Sequence, residues 1–188
     1  MTMELFIALA AGYFFGSVPF GLIFTKLAGL GDVREIGSRS IGATNVMRMG
    51  GFKLAFLTFL FDLLKAAAAG WLFGVWAGLA AVIGHNYSVW LRFRGGKGFS
   101  ASGGFLLAVS PIAFSTCFVI WLIIALSFGY SSLAALVLLS IAPIFGFAVS
   151  NAAGWATILL AVIGFWRHRE NIERLLSGTE SKINWKKK

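Results

Sequence analysis

Long apolar runs separated by short polar clusters organise this chain. The first run, Leu5 to Phe24, is long enough to cross a bilayer, because a spanning helix takes roughly 20 apolar residues. It also lacks the basic start of a signal peptide, so it is expected to remain as a span. A polar stretch over Lys26 to Lys53 follows. Residues 54–91 then offer room for two short spans that turn near Gly74 to Gly78. Between residues 98 and 166, breaks at Ser110 and Pro111, at Gly129 to Ser132 and at Ser150 to Gly154 divide the chain into four segments. The first and last hold only about a dozen residues, short for a span.

The cations give these runs a direction. Apart from Lys65 they fall in three clusters, Lys26 to Lys53, Arg92 to Lys97 and Arg167 to Lys188. If all three are cytoplasmic, as the positive-inside rule favours, the number of crossings between successive clusters is even. Four segments after residue 98 then give seven spans, an outside N-terminus, a cytoplasmic C-terminus and Ser131 and Ser132 at the cytoplasmic face. Two long helices would give five spans and bury that serine pair. The pattern therefore predicts an all-α integral membrane protein of about seven transmembrane helices, some short, forming one polytopic domain over residues 1–188.

Composition supports the membrane reading. Hydrophobic residues make up 59% of the chain and charged residues 12%, with a mean hydropathy of +0.85, values that exclude an ordinary soluble domain. The net charge of +9 sits in short loops. There it orients the protein and attracts anionic headgroups or phosphorylated ligands, and no nucleic-acid partner is expected. The single cysteine, Cys117, lies in an apolar run, so neither an internal disulfide nor a zinc site is expected. Gly12, Gly16 and their small neighbours read as a helix-packing seam. Asp62 and Lys65, three apart inside a span, share a face; a charge at that depth costs about 3 kcal/mol and needs a partner in the bundle.

Three polar stretches carry candidate chemistry. The loop Gly37 to Arg48 packs hydroxyls, an amide, glycines and two guanidiniums together, the inventory that holds phosphate oxygens. Gly95, Gly96, Lys97 and Gly98 follow Arg92 and Arg94, and read as an anion cradle of backbone amides beside a lysine. Gly98 stands where a nucleotide P-loop needs Ser or Thr, which excludes that motif. In the third stretch, Arg167, Glu170 and Arg174 share one face of a helix, while His168 and Asn171 lie together at the membrane boundary. On a continuous helix His168 and Glu173 stand roughly 140° apart, so they form no acid–base dyad. No Ser-His-Asp set is evident either.

Together these pieces resemble a family. Gly37-Ser38 with Ile41 to Val46 and Arg48, Gly84-His85 with Gly95 to Gly98, and Arg167 to Ile172 with Arg174-Leu175 and Gly178 to Glu180 resemble the bacterial acyl-phosphate-dependent glycerol-3-phosphate acyltransferases, the PlsY type. The resemblance implies a seven-helix enzyme of the bacterial inner membrane with its site at the cytoplasmic face. It implies transfer of a fatty acyl group from acyl phosphate to the 1-hydroxyl of sn-glycerol 3-phosphate, giving lysophosphatidic acid and phosphate for phospholipid synthesis. Ser38, Arg48, His168 and Asn171 are then catalytic, Gly95, Gly96, Lys97, Gly98 and Ser132 bind substrate, and Glu170 is structural. No metal or other cofactor is implied. The implied partners are the two substrates, membrane lipid and the soluble enzyme that makes acyl phosphate.

The chain departs from the family at Arg39-Ser40, which replace Gly-Asn, and at Ser88, Arg94, Gly129 and Ala135, which replace Pro, Lys, Arg and Ser. These departures leave room for a divergent paralogue with another acceptor, and Arg39 is expected to substitute for the guanidinium missing at Gly129. A small anion transporter is the alternative class. It calls for polar groups along the spans, where only Asp62 and Lys65 lie deep.

Overall fold

The computed structural model describes residues 2–183, so Lys186 to Lys188 of the third cation cluster lie outside the described residues. Within them the chain forms α1 (Met3–Ser17), α2 (Phe20–Leu27), α3 (Ala43–Phe73), α4 (Val75–Asn86), α5 (Phe99–Val109), α6 (Pro111–Phe128), α7 (Ser131–Val149), α8 (Asn151–Arg167) and α9 (Arg169–Leu176). Two 3-10 turns, Val33–Glu35 and Val89–Leu91, lie in the polar connections. Among the described residues, four stretches are long and apolar enough to cross a membrane: Met3–Leu27, Ala43–Phe73, Pro111–Phe128 and Ser131–Val149.

Cap chemistry places the breaks. Ser110 accepts from the amide of Ala113 and Pro111 opens α6, while Ser150 accepts from Ala153 and opens α8. Gly74 and Gly129, with φ of 87° and 80°, end α3 and α6 in conformations that a side chain resists. Four helices, not two, therefore separate the second and third cation clusters.

Other boundaries differ from the sequence expectation. The first run divides at Val18, whose extended backbone (φ −61°, ψ 119°) is what the following Pro19 demands. The polar stretch after Gly37 is loop only to Gly42, so Asn45 and Arg48 stand on the opening turns of α3. The last segment is a helix of 17 residues, longer than its apolar core suggested, because it starts at the Ser150 cap. His168 (φ −99°, ψ 6°) separates α8 from α9, so Arg167, Glu170 and Arg174 do not share one continuous helix face.

Small residues set the helix contacts. Gly12 and Gly16 of α1 lie against the backbone of Ala77 and Ala81 on α4, and Gly84 lies against the Tyr13 carbonyl. The predicted seam is therefore a backbone-to-backbone contact. Gly104 brings α5 equally close to the Leu63 carbonyl of α3. Leu79, Val82, Phe105, Leu139 and Leu160 fill the centre, and Cys117 packs there as a buried apolar group. Phe6, Trp71, Ile112, Ile123, Ile144 and Val162 are exposed on the periphery, the arrangement of a bundle solvated by lipid.

Candidate active site

The glycine loop after α4 forms the floor of the site, and its glycines answer to α4 itself. The last carbonyls of a helix lack intrahelical partners. Here Gly95 N donates to Asn86 O (3.2 Å) and Gly96 N to His85 O (3.0 Å). A Cβ at Gly95 would strike the His85 carbonyl and one at Gly96 the His85 ring. Gly98, at φ +85°, would direct a Cβ into the Asn86 side chain. Arg167 closes the loop from the other side, donating through Nε and Nη2 to Gly96 O (3.1 and 2.7 Å) and through Nη2 to Gly95 O (3.1 Å).

This corrects one sequence expectation. The amides of Gly95 and Gly96 are engaged by the end of α4 and are not free to cradle an anion. The amides left for that task open α5, where Gly98 is the N-cap and the positive end of the helix dipole faces the cleft.

Lys97 projects from this floor and donates to Asn171 Oδ1 on α9. Asn171 Nδ2 donates to Glu180 Oε1 (2.7 Å), which also accepts from Ser132 Oγ (2.9 Å), and Arg174 Nε donates to Glu180 Oε2 (2.7 Å). Burial opposes the charge on Glu180, but the hydrogen bonds from Arg174, Asn171 and Ser132 outweigh it and hold the carboxyl below its usual range. Burial, reinforced by Arg174, lowers the Lys97 ammonium. His168 Nδ1 lies 2.8 Å from Gly164 O, an acceptor only, so Nδ1 carries the proton and Nε2 presents a lone pair in the neutral ring. Burial pushes the His168 pKa down to about 4, which keeps the ring neutral near pH 7.

The third wall is the turn before α3. Asn45 is fully buried, with Nδ2 at 2.8, 3.1 and 2.9 Å from the carbonyls of Val33, Ile36 and Ser40 and Oδ1 accepting from Ser38 N (3.0 Å). It folds the turn that carries Ser38. Arg48, one helical turn on, donates from Nη2 to Ser181 Oγ (2.8 Å).

Ser38, Arg48, Lys97, Gly98, Ser132, His168 and Asn171 line a single cleft of about 830 Å³. Phe52, Phe56, Phe59, Phe118 and Leu122 line its apolar side, between α3 and α6. Glu170 stands outside the cleft, exposed and 4.0 Å from Arg169. Arg39 is also exposed and is not part of the lining, and the space beside Gly129 is taken by Lys182, whose ammonium lies 5.5 Å from the Tyr130 ring centre. The expected substitution by Arg39 therefore has no geometric support. Among the described residues no group of three or more His, Cys, Asp or Glu side chains is placed to hold a metal.

Glu180, Arg167 and Asn45 stand in the stretches that carry the family resemblance, but the sequence reading gave them no part in the site. Asn45 had a signal, an amide amid polar turn residues. Arg167 and Glu180 had their places in the Arg167 to Ile172 and Gly178 to Glu180 motifs, with no contact to the site attached to them.

Known proteins resemble this chain along nearly its whole length. The family profile described as Glycerol-3-phosphate acyltransferase matches residues 6–178. A Rhizobium etli protein named glycerol-3-phosphate acyltransferase is 47% identical over 99% of this chain and 95% of its own length. A Rhizobium meliloti protein of the same name is 50% identical over 95% of this chain and 92% of its own. The crystal structure of PlsY (YgiH), an integral membrane glycerol 3-phosphate acyltransferase in its glycerol 3-phosphate form, superposes with a TM-score of 0.88 at 37% identity, covering 96% of each chain. Its lysophosphatidic acid form gives 0.86 at 36% identity, covering 95% of this chain and 94% of that one.

Proposed function

The chain belongs to the glycerol-3-phosphate acyltransferase family, and we propose that it transfers a fatty acyl group from acyl phosphate to the 1-hydroxyl of sn-glycerol 3-phosphate. One observation carries this reading: a single cleft joins two cationic ends, Arg48 and Lys97, to an apolar wall. Two phosphates and one acyl chain match those three features.

In this reading Lys97, Gly98 and the first amides of α5 hold the acceptor phosphate, with Ser132 alongside. Ser38 and Arg48 hold the acyl phosphate, and the chain lies along Phe52, Phe56 and Phe118. Holding both dianions offsets their repulsion and brings the hydroxyl to the acyl carbon. The hydroxyl oxygen forms the new ester, the bond from acyl carbon to phosphate oxygen breaks, and inorganic phosphate leaves. His168, with a pKa of about 4, accepts a hydrogen bond from the hydroxyl but is a poor base. A phosphate monoester, with its second pKa of about 6, is the stronger one, so a substrate phosphate takes the proton. Asn171 is held by Lys97 and Glu180, and orients the acceptor.

The same reading gives one polytopic acyltransferase domain over residues 1–188 with seven spans: α1 with α2, then α3, α4, α5, α6, α7 and α8. The N-terminus is outside and the C-terminus cytoplasmic. Two helices between the first two cation clusters and four between the last two keep every cluster on one face. Short α5 packs against α3, α4 and α6, which shields it from lipid mismatch. The site then faces the cytoplasm of a bacterial inner membrane, within reach of a soluble enzyme that makes acyl phosphate. Purified protein offered acyl phosphate, acyl thioesters and glycerol 3-phosphate tests the donor. Lysophosphatidic acid is expected from acyl phosphate alone, and equal use of a thioester would refute that assignment.

A further inference from the structure

Asp62 and Lys65 of α3 and His85 of α4 form a buried cluster that the proposed reaction does not use. Lys65 Nζ donates to Val18 O (2.7 Å) and Asp62 Oδ1 (2.6 Å) and lies 3.0 Å from His85 Nδ1. The three residues are 6% exposed or less. One ammonium thus ties the α1–α2 break to α3 and α4. Ionisable groups at such depth are expensive, and packing alone does not call for them.

The opposite edge of the imidazole supplies a use. A Cβ added at Gly96 would run into His85 Nε2, with ring carbons Cδ2 and Cε1 each 3.0 Å away. The tip of the ring therefore points at the Gly96 α-carbon, and the Gly96 amide donates to the carbonyl of the same histidine. His85 reaches the wall of the cleft, but Gly96 covers its Nε2 edge. Lys97 is the next residue. Arg167 grips the Gly95 and Gly96 carbonyls from outside, while the His85 ring abuts the Gly96 α-carbon and the His85 carbonyl accepts the Gly96 amide from within.

We propose that His85, held by Lys65 and Asp62, is a positioning residue that places Lys97 for the acceptor phosphate by bracing Gly96. This rests on the reading that Lys97 binds that phosphate. Ser38 and Arg48 sit on a separate wall, so the effect belongs to glycerol 3-phosphate and not to the acyl donor.

A double-variant cycle tests it. Gly96→Ala drives a methyl into the ring and is expected to raise KM for glycerol 3-phosphate about tenfold, with KM for acyl phosphate unchanged. His85→Asn shortens the side chain while keeping an acceptor for Lys65. Added to Gly96→Ala, it is expected to bring KM back to within about threefold of wild type. Asp62→Asn keeps its shape, weakens the hold on Lys65 and on His85, whose Nδ1 lies 3.4 Å from Asp62 Oδ1, and is expected to raise the same KM about threefold at unchanged kcat. Losses that multiply in the double variant, or an Asp62→Asn protein with no selective rise in KM, would overturn the proposal while leaving the reaction standing. Wild-type protein that transfers no acyl group would overturn both.

Discussion

Lys97 Nζ donates to Asn171 Oδ1, joining the loop after α4 to α9 across the cleft. The bond gives the ammonium a fixed direction before any phosphate arrives. Replacing Lys97 by Ala is expected to raise KM for glycerol 3-phosphate at least tenfold, roughly the value of one charge-assisted bond. Ser38→Ala and His168→Ala are expected to lower kcat instead. Steady-state kinetics with each substrate varied separates the two effects, and unchanged kinetics in all three variants would contradict the site assignment.

Glu180 holds Ser132, Asn171 and Arg174 at once. Glu180→Ala leaves all three without that partner and is expected to cut kcat about tenfold and lower the melting temperature. The sign of its pH dependence follows from the lowered carboxyl. Its contribution is complete above the unfolded value of 4.5 and is lost as pH falls through the lower folded value. Thermal unfolding followed below pH 4.5 should show a steeper loss in wild type than in the variant.

His168 titrates the other way in chemical terms but loses stability in the same direction. Its folded pKa of about 4 lies below the unfolded 6.5, so the unfolded chain takes up the proton first. Stability is expected to fall by about 3 kcal/mol as pH drops from 6.5 to 4. A His168→Gln variant should lose that slope. Melting curves across the interval measure it.

Asn45→Ala removes the group that gathers the carbonyls of Val33, Ile36 and Ser40 and the amide of Ser38. A stability loss of about 2 kcal/mol is expected, with a kcat loss that exceeds any change in either KM. Calorimetry on the purified variant, beside its kinetics, checks both.

What the sequence disclosed and what it withheld have physical reasons. The breaks at Gly74, Ser110-Pro111, Gly129 and Ser150 were legible because caps, proline and left-handed glycines act locally. The division at Val18 was masked by unbroken apolar composition. Lys97, Ser38, His168 and Asn171 were legible as motif residues, but their shared cleft depends on tertiary packing. The glycines at 95 and 96 suggested a ligand pressing on the backbone, whereas the close neighbour is the end of α4. Glu180 reaches Ser132 across 48 residues, a distance over which helical periodicity says nothing.

The most direct measurement follows one oxygen atom. Acyl phosphate carrying heavy oxygen in the bridge between carbonyl carbon and phosphorus is given to the purified protein with glycerol 3-phosphate, and both products are weighed by mass spectrometry. Attack at the acyl carbon should leave the label entirely in the released phosphate, with an equal amount of unlabelled lysophosphatidic acid. Released phosphate without lysophosphatidic acid, or a label retained on the acyl group, would contradict acyl transfer in this cleft.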